Sequence, residues 1–121
     1  MTKRKPFLQR LLIAAAFALP IGAVGACTST GTATGSTCPS DSTLTYENFG
    51  QAFIASNCLS CHTNREQPTL STQSAIVANR EEIDLVAAAG PNAVNTQMPE
   101  DGSVATADRQ KLGQWLACGA P

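Results

Sequence analysis

The chain has few aromatic side chains, a single histidine and no stretch of strand-like alternation. Aromatic residues make up 5% of the sequence, and His62 is the only histidine. Because no segment alternates apolar and polar residues over a useful length, we expect an all-α fold. A length of 121 residues allows one compact domain once a targeting segment is removed. A core with so few aromatics is marginal on area burial alone, so another source of apolar bulk is expected.

Basic residues are scarce after the first ten positions. Half of the eight bases lie at the N-terminus: Lys3, Arg4, Lys5 and Arg10. The chain beyond Cys27 has four bases against nine acids, a net charge of about −5. This balance argues against nucleic acid as a partner, because phosphate binding requires a basic surface. It favours a protein partner with a basic docking surface, although solubility alone explains the charge equally well.

The first 26 residues have the three parts of a secretory signal peptide. A basic stretch over residues 1–10 precedes a short apolar run over residues 11–19, and Pro20 and Gly22 end that run. The run is too short to span a bilayer as a helix, which takes about 20 residues. Residues 1–26 are therefore expected to be an export signal that is removed from the mature protein.

The end of this segment, Val24-Gly25-Ala26-Cys27, resembles the lipobox of bacterial lipoproteins. In that family an aliphatic residue and two small ones precede a cysteine that is acylated and becomes the new N-terminus. The resemblance implies lipid attachment at Cys27 and a location on the periplasmic side of a bacterial membrane, where more than one acyl chain gives stable anchoring. Ordinary cleavage near Ala26 would instead leave a soluble periplasmic protein.

Residues 27–43 are expected to connect this lipidated end to a folded domain over residues 44–121. The stretch from 28 to 37 consists only of Thr, Ser, Gly and Ala. That composition is typical of a flexible linker. We therefore expect a tether that lets a small domain move near the membrane surface.

Four stretches of the domain have helical periodicity, over residues 44–57, 71–78, 80–89 and 106–118. Thr45 is the expected N-cap of the first helix, and Gly90-Pro91 is expected to end the third. Gly50 and Gly113 stand inside helices, where glycine costs about 1 kcal/mol relative to alanine. Each glycine therefore predicts a point at which another element packs very closely.

The central motif of the sequence is Cys58-Leu59-Ser60-Cys61-His62. A Cys-x-x-Cys-His run is typical of covalent haem attachment, because two thiols at this spacing can each form a thioether to one vinyl group of the same haem. His62 would then be the proximal iron ligand. A zinc site is the alternative, but it needs further Cys or His ligands. A thioredoxin-type redox pair would need a βαβ setting that the chain lacks.

Met98 is the candidate for the second iron ligand. It is the only methionine besides the initiator, and it lies in a polar loop over residues 91–104 rather than on an apolar helix face. A thioether suits haem iron, and His/Met ligation raises the reduction potential. Pro99 restricts the backbone beside it. The alternative is a methionine that fills a gap in the core.

Residues 45–118 resemble the class I c-type cytochromes. In that family a first helix ends at the haem motif, a last helix crosses it steeply, and a glycine on the first meets an aromatic on the last. Gly50 and Trp115 match that pair, and Met98-Pro99 matches the ligand loop. The resemblance implies a cytochrome c fold, with three to four short helices around one covalently bound haem (heme c).

The same resemblance implies the roles of the site residues. It places Cys58 and Cys61 in thioether bonds to the haem and makes His62 and Met98 the axial ligands of the iron. It also implies a proline carbonyl that accepts the His62 ring N–H, for which Pro68 is the candidate. The chain departs from the mitochondrial members of the family because it has no lysine-rich surface, so docking of their type is not implied.

Cys38 and Cys118 lie outside both the lipobox and the haem motif. In an oxidising compartment they are expected to form a disulfide, which would tie the entry of the first helix to the end of the last. The chain-entropy model gives about 4–5 kcal/mol for so long a loop. Two free thiols are the alternative.

The expected function is electron transfer and not catalysis. With both axial positions filled, the iron exchanges single electrons and binds no substrate. We expect a monomeric carrier that works between periplasmic and membrane redox partners. The alternative is a haem subunit, or dedicated electron acceptor, of a periplasmic dehydrogenase or oxidase complex. For an enzyme or sensor in which Met98 leaves the iron, no His, Arg or Glu constellation is evident in the sequence.

Overall fold

A computed structural model describes residues 30–121; the expected signal peptide (1–26) and lipidation site Cys27 lie outside this part of the chain. The described part is all-α, as the sequence predicts, and its only β-type pairing is an isolated bridge between Ala89 and Val94. A π-helical turn, Tyr46–Gly50, runs directly into α1 (Gln51–Asn57). The others are α2 (Leu59–His62), α3 (Gln73–Ala78), α4 (Arg80–Ala87) and α5 (Thr106–Ala117). Among residues 30–121, no helix has both the length and the apolarity needed to cross a bilayer.

The first helical segment begins at the cap that the sequence predicts. The Thr45 hydroxyl accepts the Asn48 N–H, and the Asn48 side chain accepts the Thr45 N–H, which forms a capping box. The N–H of Gly50 bonds to the Thr45 carbonyl five residues earlier, so the segment starts as a π turn and not as α-helix throughout.

Helix α4 ends two residues earlier than predicted, at Ala87. Ala88 is extended (φ −90°, ψ 167°), and the Ala89 N–H bonds to the Arg109 carbonyl of α5 instead of continuing the helix. A hydrogen bond to a second element thus ends α4 before Gly90 is reached. The loop that follows carries Met98.

The core lies between the first helical segment, α3, α4 and α5. Its fully buried side chains include Ile54, Ile76, Leu112 and Trp115. A Cβ at Gly50 would overlap the Trp115 ring, and one at Gly113 would overlap the Ala89 carbonyl and Ser36. Both predictions of close approach at the helix glycines are confirmed, because neither position has room for a side chain.

Residues 30–37, here named the strap, differ from the free tether expected for them. Thr34 is 1% exposed, and its N–H donates to the Asp84 carboxylate of α4 at 2.9 Å. The strap is therefore hydrogen-bonded along the domain, whereas its composition alone predicts a solvated linker.

The expected disulfide is also present: Cys38, directly after the strap, is bonded to Cys118 at the end of α5, with 4.7 Å between their Cα atoms.

Candidate haem site

The Cys-x-x-Cys-His motif forms one helical turn at the end of α1. The Cys58 carbonyl accepts the N–H groups of Cys61 and His62, at 3.2 and 2.9 Å. Cys58 follows the last residue of α1, and the rest of the motif is α2. The turn fixes the spacing of the two thiols and the imidazole, because its backbone hydrogen bonds close over the motif itself.

The His62 ring is held by the loop that follows it. Its Nδ1 lies 2.9 Å from the Pro68 carbonyl oxygen. A carbonyl can only accept, so Nδ1 carries a proton, and in the neutral ring Nε2 is the nitrogen that can bind a metal. Second bonds of this kind orient histidine ligands and raise their basicity. The sequence suggests Pro68 as the acceptor, and the structure places its carbonyl there.

The two thiols of the motif are not paired with each other or with another cysteine. Cys58 is half-buried against the core, and Cys61 is exposed. Burial raises the pKa of the Cys58 thiol to about 11, while the positive charge of Arg109 acts in the opposite direction. Arg109 is therefore close enough to Cys58 to act on it electrostatically.

Met98 is half-buried against the same core. Its N–H donates to the Val86 carbonyl at 2.9 Å, and its carbonyl accepts Nη1 of Arg109 at 2.6 Å. Both backbone groups of the expected ligand are thus fixed, one by α4 and one by α5. The partners that hold Met98 are therefore different from the one that holds His62.

Arg109, in the first turn of α5, was not singled out by the sequence. It is 1% exposed, and its guanidinium bonds four backbone carbonyls of the loop around Met98: Ala87, Asn95, Met98 and Val104. A signal for it exists, because position 109 precedes the buried Leu112 and Gly113 by three and four residues and so shares their helix face. Its charge excludes it from an apolar stripe.

One donor of Arg109 remains without a partner. Its Nη2 is buried and makes no hydrogen bond, and within residues 30–121 the two ion pairs involve other residues. Burial lowers the pKa of Arg109, whereas the charge of the exposed Asp101 acts in the opposite direction. A buried unsatisfied donor is costly, and a buried cation calls for an anion. A haem carboxylate is a group of that chemistry.

Nine apolar side chains pack against the core and are only partly buried, and Cys58 and Met98 are among them. The nine are Leu44, Tyr46, Phe49, Cys58, Leu59, Val77, Val86, Met98 and Val104. A haem attached at Cys58 and ligated by Met98 would cover part of this set. Two surface cavities of about 510 and 450 Å³ lie elsewhere, against the strap, and neither is lined by Cys58, His62 or Met98.

The zinc alternative lacks its ligand set in the described part of the chain. The remaining cysteines, Cys38 and Cys118, are consumed by the disulfide. Residues 30–121 contain no group of three or more His, Cys, Asp or Glu side chains placed to hold a metal ion, whereas a structural zinc site takes four ligands.

The comparisons with known proteins give no relative. No protein-family model matches the chain, and neither a curated protein nor a solved structure is significantly similar to it.

Proposed function

We propose that this chain is a membrane-tethered, monohaem c-type cytochrome that carries single electrons between periplasmic and membrane redox partners. The observation that carries the proposal is the bond from His62 Nδ1 to the Pro68 carbonyl. That bond occupies Nδ1 and leaves Nε2 of the only histidine available to a ligand, within the motif whose two thiols are unpaired. A core histidine with no ligand role would need no such arrangement beside two free cysteines.

In this proposal the roles of the chain's own residues follow from their contacts. Cys58 and Cys61 hold the haem by thioethers, and His62 and Met98 ligate its iron. When bound, the haem supplies a one-electron ferric/ferrous couple. His62 is oriented by Pro68, while Val86 and Arg109 hold the backbone of Met98. Ligands fixed in this way need little rearrangement between the two oxidation states.

The proposed fold is that of a class I cytochrome c. Its support is the contact between Gly50 and Trp115, which brings the helix before the haem motif against the last helix. The proposal also includes acylation of Cys27, a monomeric state, and a partner whose basic docking surface complements the net negative charge after Cys27. Co-purification of a stable partner from solubilised membranes would favour a subunit of a larger complex instead.

Replacement of Met98 tests the proposal. The protein, produced in a host that attaches haem c, is expected to show a low-spin c-type spectrum when reduced and a weak thioether-to-iron absorption when oxidised. Met98→Ala should abolish that absorption and lower the reduction potential, because the soft ligand is lost. Thr96→Ala, an exposed neighbour in the same loop, is the control and should change neither. An unchanged spectrum and potential in Met98→Ala would rule out this ligand.

A further inference from the structure

The strap is bonded to the domain at three alternate residues, Thr32, Thr34 and Ser36. Thr34 is the centre: its N–H and hydroxyl donate to the two Asp84 carboxylate oxygens at 2.9 and 2.6 Å, and its carbonyl accepts the Asn92 N–H at 2.9 Å. Two residues on, the Ser36 hydroxyl donates to the Ala89 carbonyl at 3.2 Å. These bonds span α4 and the loop after it.

The first part of the strap is joined to the loop of the expected iron ligand. The Asn95 side chain, in a residue that is 7% exposed, donates to the Thr32 carbonyl at 2.7 Å and accepts the Thr32 N–H at 3.4 Å. Asn95 also donates to the Asp84 carbonyl at 2.8 Å. A Cβ at Gly31 would overlap the Leu85 carbonyl, so the backbone there touches α4. The strap therefore contacts the Met98 loop at Asn95, three residues before Met98.

These contacts limit the distance that can separate Cys27 from the domain. Each residue of an extended chain spans at most about 3.3–3.6 Å. From Cys27 to Thr32, the first residue with backbone bonds to Asn95, the chain spans at most about 18 Å, against about 60 Å to residue 44 if residues 28–43 were free. An anchor at Cys27 would hold this part of the domain close to the bilayer.

The surface at this exit is unlike the rest of the domain in charge. The strap has no charged residue, and neither does the sequence from Leu85 to Pro99, although the chain after Cys27 is acidic overall. Charged residues of α4 flank the second half of the strap, because Arg80, Glu81 and Asp84 line the cavity beside residues 33–36. We therefore name only residues 30–32 and 91–97 the uncharged face. Val94 lies on the uncharged face and is 52% exposed. Among residues 30–121 it is the only large hydrophobic side chain that is exposed. Acidic groups are repelled by anionic lipid, so this face approaches a bilayer at the lowest electrostatic cost.

We propose that the strap docks the domain on the bilayer surface in one orientation, with the uncharged face and the Met98 loop toward the lipid headgroups. This inference rests on the proposed acylation of Cys27. It replaces free movement on a tether by a fixed presentation. The Met98 loop would then face redox partners embedded in the membrane.

Paramagnetic relaxation in nanodiscs tests this orientation. The mature acylated holoprotein is bound to discs of phosphatidylethanolamine and phosphatidylglycerol that carry gadolinium-chelate headgroups, and the relaxation of backbone amides is measured. Amides of residues 92–97 are expected to relax several-fold faster than the average of other exposed amides. Ten Gly/Ser residues inserted between Ser29 and Thr30 leave every strap contact in place and should even out the rates. Thr34→Val removes one of the two bonds from Thr34 to Asp84 and should reduce the difference between the rates.

Thr37→Val is the matched control, because Thr37 is exposed on the same strap; it should leave the pattern unchanged. Even relaxation in the unaltered protein, or a pattern that survives the insertion, would overturn the orientation while leaving the proposed function intact. The same sample is first checked by mass for acyl chains on Cys27 and by its spectrum for haem. Absence of the acyl chains overturns this inference together with the anchoring, and absence of haem overturns the proposed function alone.

Discussion

Two faces of this domain differ in how completely the chain satisfies its own groups: the proposed haem face, with the Cys58–His62 motif, Met98 and Arg109, and the strap face, with residues 30–37, Asp84 and Asn95. On the strap face, the buried Thr34 and Asn95 have partners for their backbone and side-chain polar groups. On the haem face, two thiols are unpaired and a buried guanidinium nitrogen has no partner. Cys58 and Met98 there are only partly buried. The polypeptide thus satisfies its own polar groups on the strap face, whereas the proposed haem face keeps groups that a bound haem would partner.

The largest effect is expected when the haem cannot be attached. In Cys58→Ser/Cys61→Ser, the partly covered apolar side chains stay exposed and Arg109 keeps its unsatisfied donor. Burial of roughly 200–400 Å² of apolar surface at about 25 cal/mol per Å² corresponds to about 5–10 kcal/mol. The midpoint of thermal unfolding should therefore fall sharply relative to the haem-bearing protein. Equal midpoints for the two proteins would show that the haem face is complete without haem.

Arg109→Met is expected to have the next largest effect. It leaves the carbonyls of the Met98 loop without their donor, at a cost of about 3–5 kcal/mol in the free energy of unfolding. The thioether-to-iron absorption should also weaken, because the Met98 carbonyl is one of those released.

Lys111→Met is the matched control for Arg109→Met. Lys111 lies on the same helix, but it is exposed and its ion pair with Asp108 is at the surface. Such a pair is worth about 0–1 kcal/mol, so stability and absorption should hardly change. If Arg109→Met behaves like this control in denaturant unfolding and in its spectrum, Arg109 does not support the haem face.

The smallest effect is expected on the strap face. Thr34→Val keeps the shape of the side chain but removes the hydroxyl that bonds Asp84 and accepts the Ser36 N–H. The unfolding free energy should fall by about 1–2 kcal/mol, while the visible spectrum stays unchanged because no haem ligand is involved. Denaturant unfolding measures the first and absorption the second. A changed thioether absorption would mean that the two faces are not separate.

Local chemistry accounts for what the sequence could predict. The helices follow from apolar residues at helical spacing, and Thr45, Gly50 and Gly113 fulfil the cap and contacts expected of them. The Cys38–Cys118 bond follows from elimination among five cysteines. The partner of His62 could be named because proline carbonyls serve that role in the family that the sequence resembles.

Two features depend on partners that only the folded chain brings together, and they could not be predicted. The strap has a linker's composition, and only its bonds to Asp84 and Asn95, 50 and 63 residues away, hold it on the domain. Arg109 is a charged residue on a buried helix face, so a search for apolar residues at helical spacing does not identify it. In both cases the burial is made possible by backbone carbonyls or a carboxylate that the fold supplies.

The most direct test of covalent haem at Cys58 and Cys61 is the mass of the peptide that contains them, taken from protein made in a host that attaches haem c. The predicted result is a peptide that carries the mass of one haem, with neither cysteine reacting with an alkylating agent after denaturation. The contradictory result is a peptide without haem in which both cysteines are alkylated, while a control cytochrome made in the same cells is fully loaded.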